Sequence, residues 1–204
     1  MNTLPRLQLP RLARRARKLA TAAAVGVTLT LLAACGTPGA DLSPLPPREP
    51  MAYQLGVGDQ LRVTVFNDPR LTGEFRITDT GAIALPLVGA IPAVGRSTTQ
   101  LERSVEAALK ARNLFNDPAV AIEVSEYRPV FVLGMVERGG QTPYQPGMSV
   151  LSAVAISGGF NYRAVTDRVS ITRIDADGKA REYLGDRQSL LLPGDVVNVY
   201  ERGL

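Results

Sequence analysis

A chain of 204 residues with no histidine and a single cysteine, Cys35, has little equipment for catalysis. The commonest general base and metal ligand is missing. A lone thiol forms neither an intrachain disulfide nor a cysteine metal site. What remains is carboxylate, Lys, Tyr and Ser. Asp59, Asp68, Asp79 and Asp195 are the candidates for a glycosidase-type pair, which needs two carboxyls about 5–9.5 Å apart in a cleft. All four stand at turn signals, where an Asp side chain bonds its own backbone, so a structural role explains them at least as well. Asp175-Ala176-Asp177-Gly178 has the opening spacing of a calcium loop but lacks the further oxygen ligands and the distal Glu. It reads as a hairpin turn instead. Ser157-Gly158-Gly159 could form an anion-binding nest, yet no phosphate-loop Lys or Ser/Thr follows, and a helix stop is favoured. The expectation is a non-enzymatic protein with no catalytic residue, no metal and no cofactor.

The cysteine has a different use. Arg11, Arg14, Arg15, Arg17 and Lys18 precede an uncharged apolar run over residues 20–34, which ends Leu31-Leu32-Ala33-Ala34-Cys35. Fifteen residues fall short of the roughly 20 that a membrane-spanning helix needs, and the pattern is that of a secretory signal. Leu-Ala-Ala-Cys resembles the bacterial lipobox. That resemblance implies cleavage after Ala34, lipidation of Cys35 and a bacterial envelope protein, and Gly36 in place of an inner-membrane retention Asp implies the outer membrane. Two or more acyl chains anchor stably where one holds only marginally. Six of the 23 Lys and Arg lie before Cys35 and none of the 19 Asp and Glu does, so the remainder carries a side-chain net of −2. The basic balance belongs to the targeting segment and is no nucleic-acid footprint.

Residues 36–50 contain Pro38, Pro44, Pro46, Pro47 and Pro50, an extended tether that cannot bury a core. Leu61, Val63 and Val65 alternate with Arg62 and Thr64 behind Gly58-Asp59, the pattern of a half-buried strand. Phe75 and Ile77 predict a short strand, with Ala82-Ile83-Ala84-Leu85 as its hairpin partner across Asp79-Thr80-Gly81. Ser97 and Gln100 form a capping-box signature for a helix over 98–112. Leu101, Val105, Ala108 and Leu109 face the core, while Glu102, Arg103, Glu106 and Lys110 form a solvated face. Val120 to Val124 predicts another strand. Tyr127-Arg128-Pro129 reads as a domain junction, and the more continuously apolar Val130 to Val136 as a strand inside a sheet. Ser149 caps a short helix over 150–156, a hairpin turns at residues 175–178, and Gly194-Asp195 repeats the Gly58-Asp59 logic before the last strand.

Together these residues resemble the outer-membrane polysaccharide export (OPX) family. Tyr53-x-Leu-Gly-Val-Gly-Asp59, Asp79-x-Gly81-x-Ile83-x-Leu85-Pro86-Leu87-Val88-Gly89 and the helix at 97–110 are similar to its polysaccharide export domain. Val130-x-Val-x-Gly134-x-Val136, Pro146-Gly147-Met148-Ser149-Val150-Leu151, Ile156-Ser157-Gly158-Gly159-Phe160 and Leu192-Pro193-Gly194-Asp195 are similar to its soluble-ligand-binding β-grasp (SLBB) domain. The family commonly has a Pro-Gly turn after Gly134-Met135-Val136; Arg138-Gly139-Gly140 stands there instead, and glycine serves the same turn. Longer members continue through another SLBB domain into a pore-lining amphipathic helix, whereas this sequence ends at Leu204.

The resemblance implies an α+β chain of two small β-rich domains, an export-type sheet with one helix followed by a β-grasp domain. The expected divisions are a signal peptide at 1–34, a tether at 35–51, the export domain at 52–127 and the SLBB-like domain at 128–204. It implies a non-enzymatic ring subunit for capsule or exopolysaccharide, lipid-anchored in the outer membrane and facing the periplasm. Edge strands and loops would supply the subunit contacts. Its partners would be polysaccharide, further copies of itself, an inner-membrane copolymerase and a separate outer-membrane component, with no nucleic acid. Tyr127, Tyr144, Phe160, Tyr162 and Arg163 are candidates to meet sugar rings or neighbouring subunits, or alternatively to fill the β-grasp core. The competing function is a lipid-anchored binding module for a glycan or small soluble ligand, without a conduit.

Overall fold

The computed structural model describes residues 37–47, 52–175 and 177–203. The expected signal peptide and Cys35 lie outside the described residues. Among these residues no helix is long and apolar enough to cross a membrane. Over residues 41–203 the apolar side chains collect into two cores, one drawn from residues 55–122 and the other from 130–199.

The first core forms around β1 (Gln60–Val65), in which Leu61, Val63 and Val65 are buried and alternate with exposed Arg62 and Thr64. It sits between β2 (Gly73–Arg76) and β5 (Val120–Glu126), antiparallel to both. The expected hairpin between Phe75 and residues 82–85 does not form. β2 pairs with β1, and β3 (Ala82–Leu85) turns at Pro86 to pair with β4 (Gly89–Pro92) instead. Four residues of Gly-Ala-Ile-Pro carry too little alternation to announce β4 in the sequence.

Helix α1 (Thr98–Ala111) starts with the expected capping box: Gln100 N–H donates to Ser97 Oγ and Ser97 N–H to Gln100 Oε1. Leu101, Val105 and Leu109 are buried against the sheet. Its acidic residues are not a solvated face. Glu102 accepts the Ile122 N–H at 2.9 Å and Glu106 the Val120 N–H at 3.3 Å. Those amides stand on the open side of β5, so the helix seals an edge that would otherwise offer unpaired donors.

The second core lies under a mixed five-stranded sheet in the order β7–β6–β10–β8–β9. Its strands are β6 (Val130–Gly134), β7 (Gly140–Thr142), β8 (Ala164–Ile174), β9 (Ala180–Gly185) and β10 (Val196–Glu201). The β6–β10 pair is parallel and the others antiparallel. Helix α2 (Val150–Ile156), capped by Ser149, buries Val150, Ala153 and Val154 and ends at Ser157-Gly158-Gly159, where Gly159 N–H returns to Val154 O. The whole is α+β, with the strand order of a β-grasp in the second half. β6 is interior, yet Phe131 and Leu133 on its second face stay exposed, so its apolar run reflects one buried face rather than two.

Part of the proline-rich segment is built into this sheet. Leu184 N–H donates to Ser43 O and Leu45 N–H to Leu184 O, both at 2.8 Å, in a parallel bridge beside β9. Leu45 packs against the second core. Composition alone reads this stretch as tether because a single apolar side chain among prolines gives no periodicity.

Candidate functional site

Polar and aromatic side chains from both halves of the chain meet where the two cores join. Gly56-Val57-Gly58-Asp59 is a tight turn closed by Asp59 N–H donating to Gly56 O at 3.2 Å, with Gly58 at φ 93°. The fully buried Asp59 carboxylate folds back over this turn. Its Oδ2 accepts the Gly56 N–H at 2.8 Å and the Tyr53 hydroxyl at 2.7 Å; its Oδ1 accepts the Arg128 backbone N–H at 3.1 Å. The Arg128 guanidinium completes the cluster, with Nε 3.4 Å from Asp59 Oδ1 and Nη2 donating to Tyr53 Oη at 3.2 Å. It lies flat on Gly56, where a Cβ would fall 2.0 Å from Nη1. A side chain at residue 56 would therefore displace the Arg128 guanidinium from its seat, although the backbone there has no positive φ.

A stack of three tyrosines continues the junction. Tyr53 and Tyr127 meet edge-on with centroids 5.1 Å apart, and Tyr127 meets Tyr144 at 5.5 Å, the arrangement that aromatic quadrupoles favour. Burial first, then the hydrogen bond and charge of Asp59, pushes the Tyr53 phenol far above its ordinary value. Burial, with the neighbouring Tyr144 and Asp59, also raises Tyr127.

The second half repeats the turn. In Leu192-Pro193-Gly194-Asp195, Asp195 N–H donates to Leu192 O at 3.1 Å, Gly194 has φ 91°, and Leu192 N–H donates to Asp195 Oδ2 at 2.7 Å. Arg173 grips the buried carboxylate with two parallel bonds, Nε to Oδ1 at 2.9 Å and Nη2 to Oδ2 at 2.6 Å. Each turn launches an interior strand, β1 or β10. The Gly-Asp repetition was visible in the sequence; the two arginines, 69 and 22 residues away, were not. Only the three-dimensional pairing singles them out among the many surface arginines.

This geometry assigns the candidate acids. Asp59 and Asp195 are each held by an arginine and by backbone donors, which fixes the loops they stand in. Asp68 bonds Arg70 through backbone and guanidinium, and this pairing holds its carboxyl below the usual range. Asp79 is exposed in its turn. Asp175 is engaged by Tyr183 and Arg181, and Asp177 by Arg181 as well, so the calcium-like spacing is occupied by protein donors. Tyr127 and Tyr144 belong to the junction stack, Tyr144 being only 7% exposed. Phe160 packs on the second core and bridges to Val136. Tyr162, at 85% exposure, and Arg163, paired with Glu201, remain on the surface of the turn before β8.

Comparison with known proteins agrees with this division. Residues 47–125 match the family of polysaccharide biosynthesis/export proteins, and residues 129–182 match the SLBB domain. Exopolysaccharide production protein ExoF of Rhizobium meliloti (strain 1021) is 31% identical over 177 residues, covering 80% of this chain. The chain spans about 40% of the length of that relative. The boundary between the two matched regions falls on Tyr127-Arg128, the residues that tie Asp59 and the tyrosine stack together. With an export domain followed by an SLBB domain, each on its own core, the chain belongs to the polysaccharide export family.

Proposed function

We propose that this protein is a non-enzymatic, lipid-anchored subunit of a machine that carries exopolysaccharide across a bacterial envelope. The observation that carries the reading is the order of its parts: a lipobox-like Cys35, an export domain and an SLBB domain. A relative named for exopolysaccharide production supports the cargo class. Copies assemble side by side as a ring beneath the outer membrane, through contacts that close by rotation. The edges of β5 and β9 are occupied within the chain, by Glu102 and Glu106 and by residues 43–45. The edges of β2 and β7, together with exposed loops and faces, are then left for subunit contacts, and the exposure of Tyr162 and Arg163 supports a role for them in meeting a neighbour or a sugar. The junction cluster holds each domain pair at one angle, which a ring needs in order to close.

Three measurements test this. Deleting the protein should abolish surface exopolysaccharide, and Cys35→Ala should release it from the membrane fraction. Native assemblies extracted in mild detergent should run as a closed oligomer. A monomer at every concentration, with normal surface polysaccharide in the deletion strain, overturns the proposal; a one-to-one complex of such a monomer with a glycan fragment indicates a binding module instead.

A further inference from the structure

We infer that the outer edge of β9 is a strand-acceptor site built for a proline-flanked extended peptide, and that the chain's own residues 43–45 occupy it. The site has a register, a plug and a stop. The register is the reciprocal pair of 2.8 Å bonds between Leu184 and residues 43 and 45, the pattern of parallel strand addition. The plug is Leu45, seated against the second core with open space on both sides. A cavity of about 280 Å³ reaches Arg173 and Leu192 on one side, and one of about 330 Å³ reaches Arg168 and Leu184 on the other. Asp186 and Ser189 line both. The groove is thus longer than the side chain that fills its middle.

The stop lies in the sequence Pro44-Leu45-Pro46-Pro47. With Leu45 N–H and Ser43 O turned toward β9, Pro44 stands at the phase whose N–H would point outward. Proline has no N–H to offer there, so the added strand cannot template another behind it. Pro47 returns to the inward phase and cannot donate to β9, which ends the ladder after one residue. One donor, one acceptor and one apolar anchor make a contact strong enough to cover the edge and weak enough to open. When it opens, the site accepts the same segment from a second copy. This inference does not depend on lipidation or on the export reading.

Hydrogen exchange on the full chain in mild detergent tests the seat. Leu184 and Glu182 stand in the same phase of β9, opposite Ser170 and Thr172, so both amides turn away from β8. Only Leu184 is covered by residues 43–45. Its amide should exchange at least tenfold more slowly than that of Glu182, and Leu45→Asp should erase the difference while Val169 and Val197 keep their protection. A synthetic peptide with the sequence of residues 41–49 should then bind the L45D chain at least tenfold more tightly than the wild type. If L45D loses the protection of Val169 and Val197, replacement of residues 43–45 by three glycines vacates the edge and the peptide is tested on that chain. Equal exchange at Leu184 and Glu182 in the wild type, or no peptide binding to a folded, vacated chain, overturns the inference.

Discussion

Asp59 and Asp195 show how one residue type in one local sequence does the same work twice. In each case a carboxylate folds back over a Gly-containing turn, takes the N–H three residues upstream, and is neutralised by a distant arginine. Removing one partner of a buried pair strands the other charge, at a cost of about 3–5 kcal/mol. The two sites should differ, because Asp59 keeps three hydrogen bonds without the Arg128 guanidinium, whereas Asp195 without Arg173 keeps the one from Leu192. Urea titration should therefore show a larger loss for Arg173→Ala than for Arg128→Ala. Gly56→Ala places a methyl group where the Arg128 guanidinium lies. Its loss and that of Arg128→Ala should not add in a double-mutant cycle. On the alkaline side Tyr53 contributes to the pH dependence of stability. A phenol whose pKa is raised on folding keeps its proton in the native state while the unfolded chain loses it above about pH 10. The stability Tyr53 supplies is thus complete below that value and lost as pH climbs past it. Tyr53→Phe should flatten the alkaline fall of stability measured between pH 9 and 11.

At the level of elements, alternation and capping were readable and pairing was not. β1, β5 and both helices follow from period-two burial and from Ser97 and Ser149. Strand partners depend on contacts that the local pattern does not encode, which is why β3 was expected beside Phe75 and is found beside β4. The same limit hid the role of the α1 glutamates. Charged residues opposite an apolar stripe normally face water, and only the neighbouring β5 reveals two amides within reach of Glu102 and Glu106. Two predictions separate these roles. Ser97→Ala should cost about 1 kcal/mol, as loss of an N-cap does. Glu102→Ala combined with Glu106→Ala should expose the β5 edge, seen as faster exchange at Val120 and Ile122 and as concentration-dependent aggregation at unchanged helix content.

For the whole molecule, family, class and the split into two cores were legible because turn signals and strand patterns recur in a fixed order. The hinge between them was only half legible. Tyr127-Arg128-Pro129 marks it in sequence, while its locking partners, Tyr53 and Asp59, come from the start of the other core. If the junction sets the angle between subunits of the proposed ring, Arg128→Ala should leave each core folded yet broaden or dissociate the oligomer expected in detergent extracts, as mass photometry would report. Intact oligomers of unchanged mass would assign the cluster to stability alone.

Residues 43–45 also decide how tension enters the protein. A pull transmitted along the chain from the side of Leu42 meets β9 before it reaches Tyr53. Under a pull along the strand axis the bonds at Leu184 are loaded in shear, so the second domain takes the first share of such a force although it comes last in the sequence. Until that contact yields, the export domain and its junction are spared the strain.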